Sequence, residues 1–541
     1  MNRQKSIIVF NNIKLPFDAS IQEAFSVAIR KLRKLGISSS GIKPYVYKRS
    51  IDARNKNNIQ FVYSIAIKCA VDSLDSDALI KHGASLISDV GAEFKVGNGE
   101  MSAPPVIIGS GPAGMFAGLI LAEMGYAPII IERGSCISDR IEAVNRFNLT
   151  HALDKNTNIQ FGAGGAGTFS DGKLVTRTND PLSSYVLDRL VEFGAQEEIK
   201  YIAKPHVGTD VLSRVVDNIL TRIIDLGGTV MYNTLMIDFK SEGGRVRSVL
   251  TDKGEIQAGA LILAVGHSAR DTYRALISKN LAIECKDFSV GMRIEHLADD
   301  IDKALYGDFA GHPLLGHAEY NLSHNTKVRG VYTFCMCPGG EVVAATSEEN
   351  GTVVNGMSYS GRDGVNSNCA VVCSVFKNDY GATPLKAIEF QRNIERRAFA
   401  AAGGEYKAPI ITVGDFLQDE CKSYPTSVMP TYMGGKNVTL ASPDQYLPGF
   451  VSESIKTALK AFDNKIRGFA RKEAILTGAE TRTSAPIRIL RNNDTKLALG
   501  FENLYPAGEG AGYAGGITSA AIDGLKCAMA LMLEYKPFMR R

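Results

Sequence analysis

Gly109, Gly111 and Gly114 stand at the spacing G-x-G-x-x-G, which can press bare backbone against a pyrophosphate. The same spacing recurs at residues 162–167 and 510–515, so the pattern alone is weak and its setting has to decide. The first copy follows an apolar stretch at 105–108 and opens an apolar helical stretch at 113–124, with Pro112 and Ala113 in its first turn. A proline costs nothing there, because the missing N–H has no helical partner anyway. A second strand at 128–131 then ends at Glu132, placed to accept hydrogen bonds from ribose hydroxyls, with Arg133 beside it. In this setting Gly109 makes the turn, Gly111 admits the phosphates and Gly114 lets helix and sheet touch. The helix start offers unpaired N–H groups to the anion.

The other two copies lack that setting. Residues 162–167, including Gly164 and Gly165, sit between polar stretches with no strand feeding them. Residues 510–515 do open a helix, but the chain ends within it. Neither encodes a second nucleotide domain, although both could fold against the first.

Residues able to move protons or bind anions are spread more thinly. His267 directly follows Gly266, where a neutral imidazole could take a substrate proton or bond a phosphate or backbone group. His206, in a loop before a helix, has similar standing. Arg482 can fork onto a carboxylate of an acidic substrate, or form a structural ion pair. Arg488, the group Arg293, Glu295 and His296, and Lys173 are further charged candidates. Cys335 and Cys337, two apart on an expected strand, would face one side of it. Buried structural cysteine is the plainer reading, since a redox pair needs a low pKa and exposure. No metal site is expected: C-x-C is half a site, and Cys369 and Cys373 read as helical neighbours rather than a second pair.

The positioning elements follow from periodicity. Residues 1–100 read as a small α+β unit in the order strand, helix, strand, strand, helix, with strands at 7–10, 45–48 and 60–70 and helices at 21–35 and 74–85. This unit carries 15 Lys+Arg against 9 Asp+Glu, a solvated basic face or a docking surface for a nucleic acid or protein partner. Residues 101–285 alternate buried strands with helices and include short strands from 229 to 256 that read as a meander. Residues 286–480 are mixed, and 481–541 return to strand, glycine turn and helix, the last at 517–533. That order describes an α/β nucleotide domain of Rossmann type split by an inserted α+β substrate or cap domain. No apolar run approaches the ~20 residues of a membrane helix. Nine cysteines, an odd number, make a poor disulfide framework and suit a reducing cytoplasm.

Two further segments choose among nucleotides by resemblance. Residues 261–266 form an apolar strand ending in Ala264 and Gly266, similar to the alanine–x–glycine turn of two-dinucleotide flavoproteins. Residues 504–509, ending in Gly508 and Glu509, resemble the segment by which glutathione-reductase-type flavoproteins hold the ribityl chain. The stretches GAGGAGTFSDGKL, TFCMCPGGEVV, ETRTSAP and YPAGEGAGYAGGI, taken in order, resemble a family of bacterial FAD-dependent dehydrogenases of uncharacterised substrate. The resemblance covers most of the chain. It implies FAD held by residues 101–285 with 481–541, Gly515, Gly516 and Ile517 facing the flavin pyrimidine edge, and a small-molecule substrate under residues 286–480. It leaves room for NAD(P)H as a transient electron donor on the cap face. Glu509 departs from the wider class, which commonly carries Asp there.

Overall fold

In the computed structural model, residues 6–69, 76–88, 93–175, 180–326 and 328–538 are described. The strand Pro105–Ile108 is buried at every position, as only a strand covered on both faces can be. It lies at the centre of a five-stranded parallel sheet, between Ile129–Ile131 and Ala260–Leu263, with Thr229–Met231 and Leu504–Pro506 at the edges. One face is covered by the helix Pro112–Glu123, apolar almost all round, and the C-terminal helix Ile517–Glu534. The two helices meet through small residues: a Cβ on Gly524 would stand 2.0 Å from the Ala113 carbonyl oxygen. The other face is covered by an antiparallel meander of Met236–Glu242, Arg245–Thr251 and Gly254–Gln257. Thr229–Met231, expected in that meander, is instead the outer parallel strand. The crossover helix Thr209–Asp225 returns the chain alongside Ile129–Ile131, and the meander starts only after Asn233 turns at φ 51°.

Between residues 288 and 480 the chain builds a seven-stranded mixed sheet around Phe288–Leu297 and Asn366–Val375. Cys369 and Cys373, expected on a helix, both lie on the second of these strands, where a β-branched and small-residue run is buried on both faces. The chain leaves and re-enters the parallel sheet through a two-stranded antiparallel ribbon, Ile283–Cys285 against Ile487–Ile489.

The N-terminal unit is strand Ser6–Pro16, helix Ile21–Lys34, strands Tyr45–Asp52 and Gln60–Cys69, helix Ser76–Lys81 and strand Ala84–Ser88. The helix expected to 85 stops at Lys81, and the residues after it pair with the first strand as a fourth; residues 74–75 lie outside the described residues. The strand order is that of a split βαβ sheet. Its apolar face is not a core of its own: Ile8, Phe10 and Phe61 share one cluster with Phe288, Val290 and Val371 of the seven-stranded sheet.

Two ion networks clamp the parallel-sheet part to the inserted part. Arg270, fully buried, donates to Glu395 at 2.7 and 2.8 Å and to Glu348 at 2.8 Å. On another side Asp171, also fully buried, receives Arg362 at 2.7 Å and Lys173 at 2.7 Å, while Arg362 reaches Glu319 at 2.6 Å.

Candidate functional site

One cavity of about 1080 Å³ opens between the ends of the parallel strands and the inserted sheet. Its first wall is the glycine hinge. Gly109 turns at φ +95°, and a side chain there would strike the Ala264 carbonyl oxygen at 2.4 Å. Gly111 caps the helix Pro112–Glu123 with no side-chain acceptor and no acid in the first turn, so the helix N-terminus faces the cavity with its positive end uncompensated. Gly114 is pressed against the hinge, its absent Cβ only 1.9 Å from the Gly109 carbonyl oxygen.

The three glycine runs converge. Gly165, at φ +61°, sits so close that an added Cβ would lie 3.0 Å from Gly111 Cα, and one on Gly167 would lie 3.2 Å from Ile517. Gly510 abuts Gly266 at 2.6 Å by the same measure. Gly164, at φ +79°, faces the Thr168 hydroxyl. Arg140, buried without an ion-pair partner among the described residues, holds the second run by donating to the carbonyls of Asn158, Ile159 and Ala163. Burial brings its pKa down to about 10.

Glu132 reaches the cavity wall at the end of its strand, but its carboxylate is already busy. One oxygen accepts from the Ser110 N–H at 2.9 Å and hydroxyl at 2.7 Å; the other accepts from the N–H groups of Gly134 and Gly162, both at 3.0 Å. It therefore ties the hinge, its own strand and the second glycine run together. Arg133 pairs with Asp271 and lies over the Phe161 ring, 4.2 Å from its centroid.

The opposite wall comes from the C-terminus. Ala507 and Gly508 lead into Glu509, whose carboxylate lines the cavity and receives no hydrogen bond from any described residue. Burial raises its pKa to about 7, against the weaker pull of Lys286. Gly516 starts the helix Ile517–Glu534 without a side-chain cap, and a Cβ on Gly515 or Gly516 would meet nothing within 4 Å. A half-buried acid with no donor among the described residues, two uncapped helix ends and a bare glycine cradle fit a dinucleotide: hydroxyls for the acid, phosphates and an electron-rich ring edge for the helices.

Residues 287–483 match a family described as the C-terminal domain of FAD-dependent proteins, and residues 7–68 match a domain of unknown function. An uncharacterised protein of Clostridium beijerinckii is 44% identical over 539 residues, covering 98% of this chain and 99% of its own. The chain belongs to a family of FAD-dependent proteins. Solved structures include glycine oxidase from Bacillus cereus, at 10% identity over 80% of this chain and 99% of that one, with a TM-score of 0.35. L-amino acid deaminase from Proteus vulgaris stands at 12% over 83% and 97%, with a TM-score of 0.33. Likeness that low says nothing of what this flavoprotein acts on.

Of the candidate catalytic residues, the structure brings two to the cavity. His267 lines it, and its Nδ1 lies 2.9 Å from the Ser268 hydroxyl. Ser268 donates to Gln160 Oε1 at 3.0 Å, and the Gln160 amide nitrogen donates to the Ala345 carbonyl at 3.2 Å. A serine has one hydroxyl hydrogen. The Ala345 carbonyl thus orients the glutamine, the glutamine takes the serine's hydrogen, and His267 must carry its own proton on Nδ1. Its Nε2 is left as an acceptor, which excludes donation from that atom to a phosphate. Burial, with Arg482 and Arg270 nearby, pulls the imidazole pKa down to about 3 and keeps it neutral.

Arg482 lines the cavity while its guanidinium grips Glu395 at 3.1 and 3.2 Å, so the structural pair anticipated as an alternative is present. His206 stands apart. It is not among the cavity's lining residues, and its Nε2 lies 3.5 Å from the Ser360 carbonyl, because the loop before Thr209–Asp225 is drawn to residues 358–360. Lys173 lines the cavity but is paired with Asp171. Sequence reasoning missed Gln160, Ser268 and Glu480. Ser268 adjoins His267, but only the fold supplies its partner from residue 160.

Proposed function

We propose that this FAD-dependent oxidoreductase acts on a small molecule held in the same cavity, against the inserted sheet, with His267 as the hydrogen-bond acceptor that orients the reacting group. Residues 101–285 with 481–541 serve the cofactor, residues 286–480 the substrate, and residues 1–100 buttress the inserted sheet. Gly109, Gly111, Pro112, Ala113, Gly114, Glu132, Arg133, Gly164 and Gly165 hold the adenosine diphosphate end. Ala264, Gly266, Gly508, Glu509, Gly515, Gly516 and Ile517 hold the remainder. When bound, FAD supplies two-electron chemistry that amino-acid side chains lack.

The chain's own residues supply the rest. The Nε2 lone pair of His267 carries this reading, because the residue lines the cavity and its tautomer is set by Ser268 and Gln160. It accepts a hydrogen bond from the substrate group that loses a proton. With its basicity lowered, it orients that group rather than storing the proton at neutral pH. Arg482, held by Glu395, adds positive potential to the same wall and favours an anionic or carbonyl-bearing substrate. Lys173 and Lys204 line the cavity as well, and give an anionic NAD(P)H a place to dock as a transient donor on the cap face. The nine free cysteines suit a reducing cytoplasm. A partner docked on the basic N-terminal unit gains no support from the structure.

Anaerobic mixing of the purified flavoprotein with NADH, NADPH and a metabolite panel tests the reading. Bleaching of the visible flavin band identifies the donor, and loss of bleaching rate in His267→Ala at unchanged flavin content is expected. Equal rates in wild type and variant would remove His267 from the reaction.

A further inference from the structure

The segment Thr333 to Cys337 does not run as the plain strand its sequence implies. In Gly330–Cys337 the pairing with Asn366–Val375 slips between Phe334 and Cys337, and Cys335 sits at φ +47°, a conformation that side chains other than glycine rarely take. Such bulges re-aim side chains. Here the slip leaves Cys335 half-buried in the cavity wall, near Lys173 and Glu480, while Cys337 is fully buried behind it. The Cys337 sulfur lies 3.4 Å from the Cys335 carbonyl oxygen. One guanidinium serves both residues. Arg293, wholly buried, donates to the Cys335 carbonyl at 3.2 Å and to the Cys337 sulfur at 3.7 Å, and its Nε is anchored by Glu480 at 3.0 Å.

Two thiols two residues apart, a buried cation touching the Cys337 sulfur and the Cys335 carbonyl, and an open cavity in front form the surroundings that activate a cysteine. We propose that Cys335 and Cys337 are a redox-active dithiol whose exchange partner is a small disulfide entering the cavity, with Cys335 attacking and Cys337 resolving. The Cys335 thiolate attacks one sulfur of the partner disulfide, forming a mixed disulfide and expelling a thiolate that takes a proton from water. Cys337 then gives its proton to water, its sulfur attacks the Cys335 sulfur, and the second half of the partner leaves as a thiolate that takes up a proton. The balance is one dithiol and one disulfide giving one protein disulfide and two thiols, and excess thiol reverses it. The groups facing Cys335 are the Cys337 thiol, Arg293, Lys173 and Asp171; the first three pull its pKa to about 6 against burial and the Asp171 carboxylate, and Cys337 stays protonated.

The inference rests on the cavity as the reaction chamber. Its readout is covalent and needs no turnover, so its failure leaves the flavin reading intact. The purified flavoprotein is equilibrated in glutathione buffers of graded oxidised fraction, quenched in acid, denatured, alkylated with N-ethylmaleimide and digested. The peptide carrying both residues is expected to lose its two alkylation sites together and to become lighter by two hydrogens. Cys337→Ser is expected to trap glutathione on Cys335, and Cys335→Ser to leave Cys337 unoxidised. In the native wild-type protein, iodoacetamide labelling of Cys335 should level off above pH 7, where an ordinary thiol still gains roughly tenfold per pH unit below its pKa of ~8.5. Both thiols remaining alkylatable in the most oxidised buffer, or a glutathione adduct persisting on wild-type Cys335, would overturn the proposal.

Discussion

At the scale of single residues, Glu509 is the most exposed to test. A partly desolvated acid without a donor among the described residues resists ionisation, and its pKa of about 7 records that cost. Hydroxyl donors of a bound ligand stabilise the charged form, so binding releases a proton and affinity must rise with pH through 7. We expect FAD affinity measured by titration to strengthen from pH 6 to pH 8 in wild type. In Glu509→Gln it should stay flat and be weaker by ~1–2 kcal/mol above pH 7. His267 carries the opposite signature. Its pKa is held at about 3, below the ordinary 6.5, so an unfolded chain takes up a proton that the folded one refuses. Stability from this group is full above pH 6.5 and is lost as pH falls towards 3. The wild-type Tm should therefore drop more steeply between pH 6 and pH 4 than that of His267→Asn.

At the scale of elements, the glycines divide by what their missing side chains would meet. Gly114 lies against backbone, its absent Cβ 1.9 Å from the Gly109 carbonyl oxygen, so helix and hinge must part if it is filled. Gly114→Ala is expected to cost ~1–3 kcal/mol of stability by overpacking, seen as a lowered Tm even without cofactor. Gly515 borders the cavity, and its Cβ would meet nothing. Gly515→Ala should fold with an unchanged Tm as apoprotein yet bind FAD more weakly, because the methyl occupies ligand space. A Tm loss equal to that of Gly114→Ala would show Gly515 to be structural instead.

At the scale of the molecule, two sheets with separate cores are joined by buried charge. Glu395, 1% exposed, receives both Arg270 and Arg482, and their attraction holds its carboxyl far below the usual range. Breaking such a pair from one side leaves charge buried without compensation. Glu395→Gln is expected to destabilise by ~3–5 kcal/mol, measured by denaturant unfolding. Since Arg482 lines the cavity, the same variant should release flavin more readily.

Much of the nucleotide end was legible in the residues themselves. The strand at 105–108, the helix at 112–123, the second strand and Glu132 all follow from short-range spacing, because a tight turn, a helix start and a buried strand each impose local demands on residue type. The same reasoning placed Thr229–Met231 in the meander, since three residues cannot announce which sheet will take them. It put Cys335 and Cys337 on one face of a regular strand, since a bulge is set by the neighbouring strand's register.

The chain alone thus determined the strand, glycine turn and helix at residues 105–123 and the glycine turn that opens the last helix. Only the tertiary structure decided which histidine reaches the cavity, how its tautomer is set by Gln160 and Ala345, and that Glu509 lacks a donor where Glu132 has four. Backbone conformation is written into neighbouring residues. Hydrogen-bond satisfaction and burial depend on groups a hundred residues away, and no local spacing encodes those.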